Sequence, residues 1–90
     1  MLYALFYETA EDVSNEQLMD SFPAHKARWQ ACRDAGTLVA IGPFADRSGA
    51  LSVWTSQEAA EEFAAGDPFV TGGLMKNWYV RPWLEAILAP

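Results

Sequence analysis

The chain has 90 residues, of which 51% are hydrophobic, with four Trp, three Tyr and five Phe. That length makes one domain, residues 1–90, and so much large apolar surface exceeds what a small monomer hides, which points to a partner chain. Twelve acids against six bases give a net charge of −6; the bases Lys26, Arg28, Arg33, Arg47, Lys76 and Arg81 are scattered, so nucleic-acid binding is excluded as a leading function.

Leu2–Glu8 reads as a strand dense in aromatic and aliphatic residues. The same segment, MLYALFYE, has no positive start and turns acidic at Glu8. It is neither a secretory signal nor a membrane span, so a cytoplasmic protein with no membrane contact is expected. Ser14-Asn15-Glu16-Gln17 fits a capping box that opens a helix. Leu18, Phe22, His25, Trp29 and Cys32 then recur at three- and four-residue spacing as one stripe, down to Gly36 as a C-cap. Pro23 lies inside this helix and is expected to kink or split it.

Thr37–Ile41 and Ala50–Thr55 read as strands joined by the hairpin loop GPFADRSG. SQEAAEEFAAG is a second helix, capped by Ser56 and stopped at Gly66, with Ala59, Ala60 and Phe63 facing inward. Leu74–Trp83 is the last strand, and Pro82 marks its end or an exposed edge. The order βαββαβ is an α+β, ferredoxin-like unit: a four-stranded antiparallel sheet with two helices on one face. Leu2, Ala4 and Phe6 alternate with Tyr3, Leu5 and Tyr7, so both faces of the first strand are apolar. One layer of helices covers one face, and a homodimer whose sheets pack together is expected to cover the other.

His25 is the only histidine. On an apolar stripe it is a helix imidazole satisfied by a carbonyl, one that Pro23 rotates toward solvent, or an acid–base group, because burial favours its neutral form and a nearby carboxylate its charged one. Asp67 precedes Pro68, a common N-cap arrangement, and so is a cap, a partner of His25, or both at once through its two oxygens. With 1.5 Å of rise per residue, His25 lies about 16 Å from Ser14 along the first helix, and the second helix ends at that level, so contact is geometrically allowed. Asp46 reads as a hairpin-tip residue. Gly42-Pro43 is turn punctuation or a close backbone approach to a ligand. Arg81 is a solvated or salt-bridged cation or a binder of a substrate carboxylate. Cys32, the lone cysteine, reads as a small core residue, and one His without a Cys pair argues against a transition-metal site. No phosphate-binding glycine loop or serine elbow is present.

Several short pieces occur in order across the whole chain: MLYALFY, Pro23-Ala24-His25, Gly36-Thr37-Leu38, Gly42-Pro43, Gly49, Asp67-Pro68-Phe69 and Arg81-Pro82-Trp83. In this set the chain resembles the YCII-related family, small members of the dimeric α+β barrel group. It departs from the family at Phe69, where a Tyr is often found. The resemblance implies a ferredoxin-like homodimer with a pocket centred on His25 and Asp67, and it favours Gly42 and Pro43 as pocket wall; Phe69 and Arg81 are the further candidate contacts to a small-molecule substrate. It implies no metal and no organic cofactor. The activity it implies is a lyase or isomerase step on a small ring or lactone compound by acid–base chemistry; the alternative is a small-molecule-binding or accessory protein that does no chemistry.

Overall fold

A computed structural model describes residues 1–86 as β1 (Leu2–Thr9), α1 (Asn15–Asp34), β2 (Leu38–Pro43), β3 (Gly49–Trp54), α2 (Gln57–Gly66), α3 (Pro68–Thr71) and β4 (Met75–Trp83). The strands form one antiparallel sheet in the order β2-β3-β1-β4. This is the ferredoxin-like arrangement that the alternation of strand and helix patterns predicts, with α3 added as a single turn after α2.

Register decides which side chains meet the helices. Tyr3, Leu5 and Tyr7 of β1 stand opposite Trp54, Ser52 and Ala50 of β3, and Leu5 and Tyr7 stand opposite Val80 and Trp78 of β4. Because strand side chains alternate, these residues share one face. They meet Ala60, Phe63 and Ala64 of α2 in the core, together with Leu38. The alanines let α2 approach the sheet closely, and Phe63 fills the space against Trp54, with ring centroids 4.9 Å apart. The buried Trp54 indole is satisfied by donating its Nε1–H to Ser52 Oγ at 2.8 Å.

α1 starts where the capping box predicts. The Gln17 N–H donates to Ser14 Oγ at 3.2 Å, and the Ser14 N–H donates to Gln17 Oε1 at 2.8 Å. The expected break at Pro23 does not occur: the helix runs unbroken through it. The proline ring is exposed, so the carbonyl it leaves without an N–H partner sits on the solvent side. The cap is Ala35 rather than Gly36; the glycine follows it in the left-handed region at φ 81°. The apolar stripe is also less buried than its periodicity predicts. His25 is the one buried residue on α1, while Leu18, Trp29 and Cys32 are half-buried and Phe22 is 39% exposed. α1 stands off from the sheet along its first half.

The opposite face of the sheet is apolar too. Ala4 and Val53 are buried there, and Phe6 stacks on Tyr79 with centroids 5.2 Å apart. Tyr79 and Trp83 are 40% and 46% exposed. Pro82 lies within β4, an edge strand, where its missing N–H costs no ladder bond to a further strand. Among the described residues no helix is long and apolar enough to cross a membrane.

Candidate active site

Asp67 follows the last residue of α2 and caps α3, whose first residue is Pro68. The Phe69 N–H donates to its Oδ1 at 3.2 Å. The side chain is fully buried, so the carboxylate needs further partners to offset lost hydration. It has two. The Tyr7 hydroxyl donates to Oδ2 at 2.6 Å, and His25 Nδ1 lies 2.9 Å from both oxygens. The cap and the imidazole partner are therefore one residue, with three elements, β1, α1 and α3, converging on one carboxylate.

The proton positions follow from these contacts. Burial first, then the bond to Asp67 and its negative charge, push the Tyr7 phenol well above the ordinary tyrosine range, with Arg28 acting in the opposite sense. Tyr7 thus stays a donor throughout the neutral range. With Oδ2 accepting from Tyr7 and Oδ1 from the Phe69 N–H, the proton shared with the imidazole belongs on Nδ1. In the neutral ring Nε2 then carries the lone pair. Among the described residues Nε2 has no hydrogen-bond partner, and His25 lines a cavity. The plane of the ring is set by Phe69, stacked on it at 4.0 Å and 6°, and by the edge of Phe63 at 5.9 Å.

Arg28, one turn beyond His25 on α1, ties the helices together. Its Nη2 donates to the carbonyls of Phe63 at 3.0 Å and Glu62 at 3.4 Å, in the last turn of α2, and the guanidinium lies over the Phe63 ring at 5.4 Å. A cation at a helix C-terminus is favourably placed against the helix dipole. Gly66 leaves room for it, since a Cβ there would come within 2.8 Å of the guanidinium. The clamp fixes the α2 end that precedes Asp67 relative to the helix that carries His25.

The cavity lies between the first half of α1 and the sheet and has a volume of about 690 Å³. Leu18, Met19, Phe22 and Trp29 form its helix wall, and Tyr7 and His25 line it too. Gly42, Pro43 and Phe69 line it as well. Asp67 does not reach it and stands behind His25. Arg81 is not brought to it either. Its register partner is Ala4, so strand alternation turns its exposed side chain to the sheet face away from the helices. That placement gives Arg81 no contact with a ligand in this cavity, contrary to the expectation from sequence. Asp46 is a turn residue, its Oδ1 accepting the Ser48 N–H at 3.0 Å. Among the described residues no three His, Cys, Asp or Glu side chains gather as a metal site.

Tyr7 and Arg28 are the site residues that sequence reasoning misses. Tyr7 reads as one more apolar strand residue. The available signal is that a Tyr in the middle of a buried strand requires a partner for its hydroxyl, and Asp67 is such an acceptor.

Comparison with known proteins places this architecture. The curated protein YciI of Escherichia coli O6:H1 is 32% identical over an alignment of 95 residues that covers 92% of this chain and 96% of that protein, and YciI of Shigella flexneri matches to the same extent. Among solved structures, 5-chloro-2-hydroxyhydroquinone dehydrochlorinase (TftG) from Burkholderia phenoliruptrix AC1100, in complex with 2,5-dihydroxybenzoquinone, superposes with a TM-score of 0.79 at 21% identity over 96% of both chains. At that identity the likeness establishes the shared fold. The YCII-related domain profile matches residues 1–84, and on that span together with the YciI relatives the chain belongs to the YCII-related family.

Proposed function

We propose that the protein is a lyase or isomerase that works by acid–base catalysis on a small organic ring compound. The observation that carries this reading is the buried His25–Asp67 pair, with its unpartnered Nε2 at an apolar cavity. Nε2 accepts a proton from the substrate; Asp67 holds the Nδ1–H tautomer beforehand and stabilises the imidazolium that forms. Departure of a leaving group from the neighbouring carbon completes an elimination, and return of the proton to another atom completes an isomerisation. The reacting groups named here are side chains, and the reading calls on no metal or organic cofactor. A cavity of about 690 Å³ suits a small organic molecule. The similarly folded dehydrochlorinase supports a ring substrate with a leaving group.

The same proposal includes a homodimer formed through the apolar sheet face and a cytoplasmic setting, for which the unpaired Cys32 is suited. A second reading, a binding protein that returns its ligand unchanged, is favoured by one observation. Phe69 stacks on the imidazole with no hydroxyl to offer as a second acid. The test is turnover of a panel of halogenated hydroquinones, followed by halide release. His25→Ala is expected to lower kcat/KM by about 10²–10⁴. Equal turnover by the variant would remove His25 from the chemistry, and recovery of every ring compound unchanged would leave the binding protein.

A further inference from the structure

We propose that Arg47 selects ligands that carry a negative charge, so that the cavity takes small aromatic anions such as ring carboxylates and ionised ring hydroxyls. The inference deepens the function proposed above and rests on its reading of the cavity.

Three independent observations bear on it. The first is location. The β2–β3 turn borders the cavity through Phe44, Ala45 and Arg47, and Arg47 is the one cationic side chain among the lining residues, which include no Asp or Glu. In a chain with twelve acids and six bases, an apolar cavity that meets one cation and no acid has the electrostatic character of an anion site. The second is availability. Among the described residues the guanidinium takes part in no ion pair. The neighbouring Asp46 carboxylate is occupied with the Ser48 N–H.

The third is the backbone. Arg47 is the one described non-glycine residue with positive φ, at 64°. The Arg47 N–H donates to the Phe44 carbonyl at 2.9 Å, and the Phe44 N–H donates to the Gly49 carbonyl at 2.9 Å, so the turn is fully hydrogen-bonded with Arg47 held in that conformation. Glycine occupies the left-handed region without steric cost, and a long side chain does not. The turn's hydrogen bonds hold Arg47 in this costly conformation beside the cavity. The fork of a guanidinium matches a carboxylate with two parallel N–H donors.

The probe pair is 4-hydroxybenzoate and its neutral isostere 4-hydroxybenzamide, titrated calorimetrically into the full chain at pH 7. The wild type is expected to bind the anion roughly fivefold more tightly, a preference that shrinks with added salt. Arg47→Gly is expected to abolish the preference and leave amide binding unchanged, while melting no lower than the wild type because the turn is relieved. Arg47→Gln, which keeps the side-chain length, is expected to abolish it as well. A wild type without preference, or one that binds neither probe, overturns the proposal, as does an Arg47→Gly variant that keeps the preference. The calorimetric preference is read without turnover, so failure of the catalytic reading, seen as absent halide release, and failure of this one give different results.

Discussion

At the scale of single residues, the site is organised around a carboxylate that accepts from three donors. Each donor comes from a different element: Tyr7 from β1, His25 from α1 and the Phe69 N–H from α3. Removing one leaves a buried acceptor short of a partner. Tyr7→Phe is therefore expected to cost about 1.5–3 kcal/mol in urea unfolding, the usual range for a hydrogen bond to a charged group, and to lower turnover by loosening the imidazole's support. The phenol also gives a pH signature. The folded protein holds the Tyr7 proton more tightly than the unfolded chain, whose tyrosine titrates near 10.0. The stability from this group is whole below pH 10 and is lost as the pH rises above it. Unfolding titrations from pH 9 upward are expected to show that decline in the wild type and a smaller one in Tyr7→Phe; identical slopes would contradict the assigned environment. The pairing of His25 with Asp67 was legible only through the family resemblance: helix rise and an Asp-Pro cap are local quantities that allow the two residues to lie at one level, and no local pattern requires them to meet. Tyr7 was not, since its bond spans 60 positions and depends on sheet register that no local pattern encodes.

At the scale of elements, close backbone approaches set the positions of the donors. A Cβ on Gly49 would overlap the Tyr7 carbonyl oxygen across the β3–β1 pair, and the obstacle is backbone that has no alternative rotamer. Gly49→Ala is expected to destabilise by about 3 kcal/mol or more and to displace Tyr7 from Asp67. Gly66→Ala meets only the flexible end of Arg28 and is expected to cost about 1 kcal/mol through the weakened clamp on α2. Thermal or urea unfolding of the two variants checks the order; equal losses would show that the contact with backbone is no tighter than the contact with the side chain. The strands, both main helices and the capping box were legible because period-2 and period-3.6 patterns are local. The cavity was not. Leu18, Phe22 and Trp29 have the spacing of a buried stripe, and nothing in that spacing says that α1 stands away from the sheet. The Arg28 contacts that tie α1 to the end of α2 span 34 and 35 positions and are a property of the folded chain.

At the scale of the whole molecule, the two faces of the sheet pose one physical problem. The helices cover the face that bears Leu5 and Tyr7, and the other presents Phe6, Tyr79 and Trp83. Burial of apolar surface is favourable, and the proposed homodimer would supply it for this face. Sedimentation equilibrium is expected to give a dimer at micromolar concentration, and Tyr79→Glu a monomer, since the substitution places an unpaired charge in the contact; a wild-type monomer would refute this assembly. The molecule has one histidine, so its imidazole nitrogens are observable by long-range 1H–15N NMR without overlap. Recorded at pH 9, where free histidine is neutral, that spectrum tests most directly the claim that Asp67 holds a proton-accepting nitrogen at the cavity. The expected spectrum shows a protonated Nδ1, slow to exchange with water, and an unprotonated Nε2, a pattern lost in Asp67→Asn. A proton on Nε2, or a rapidly exchanging mixture of the two tautomers in the wild type, would contradict it.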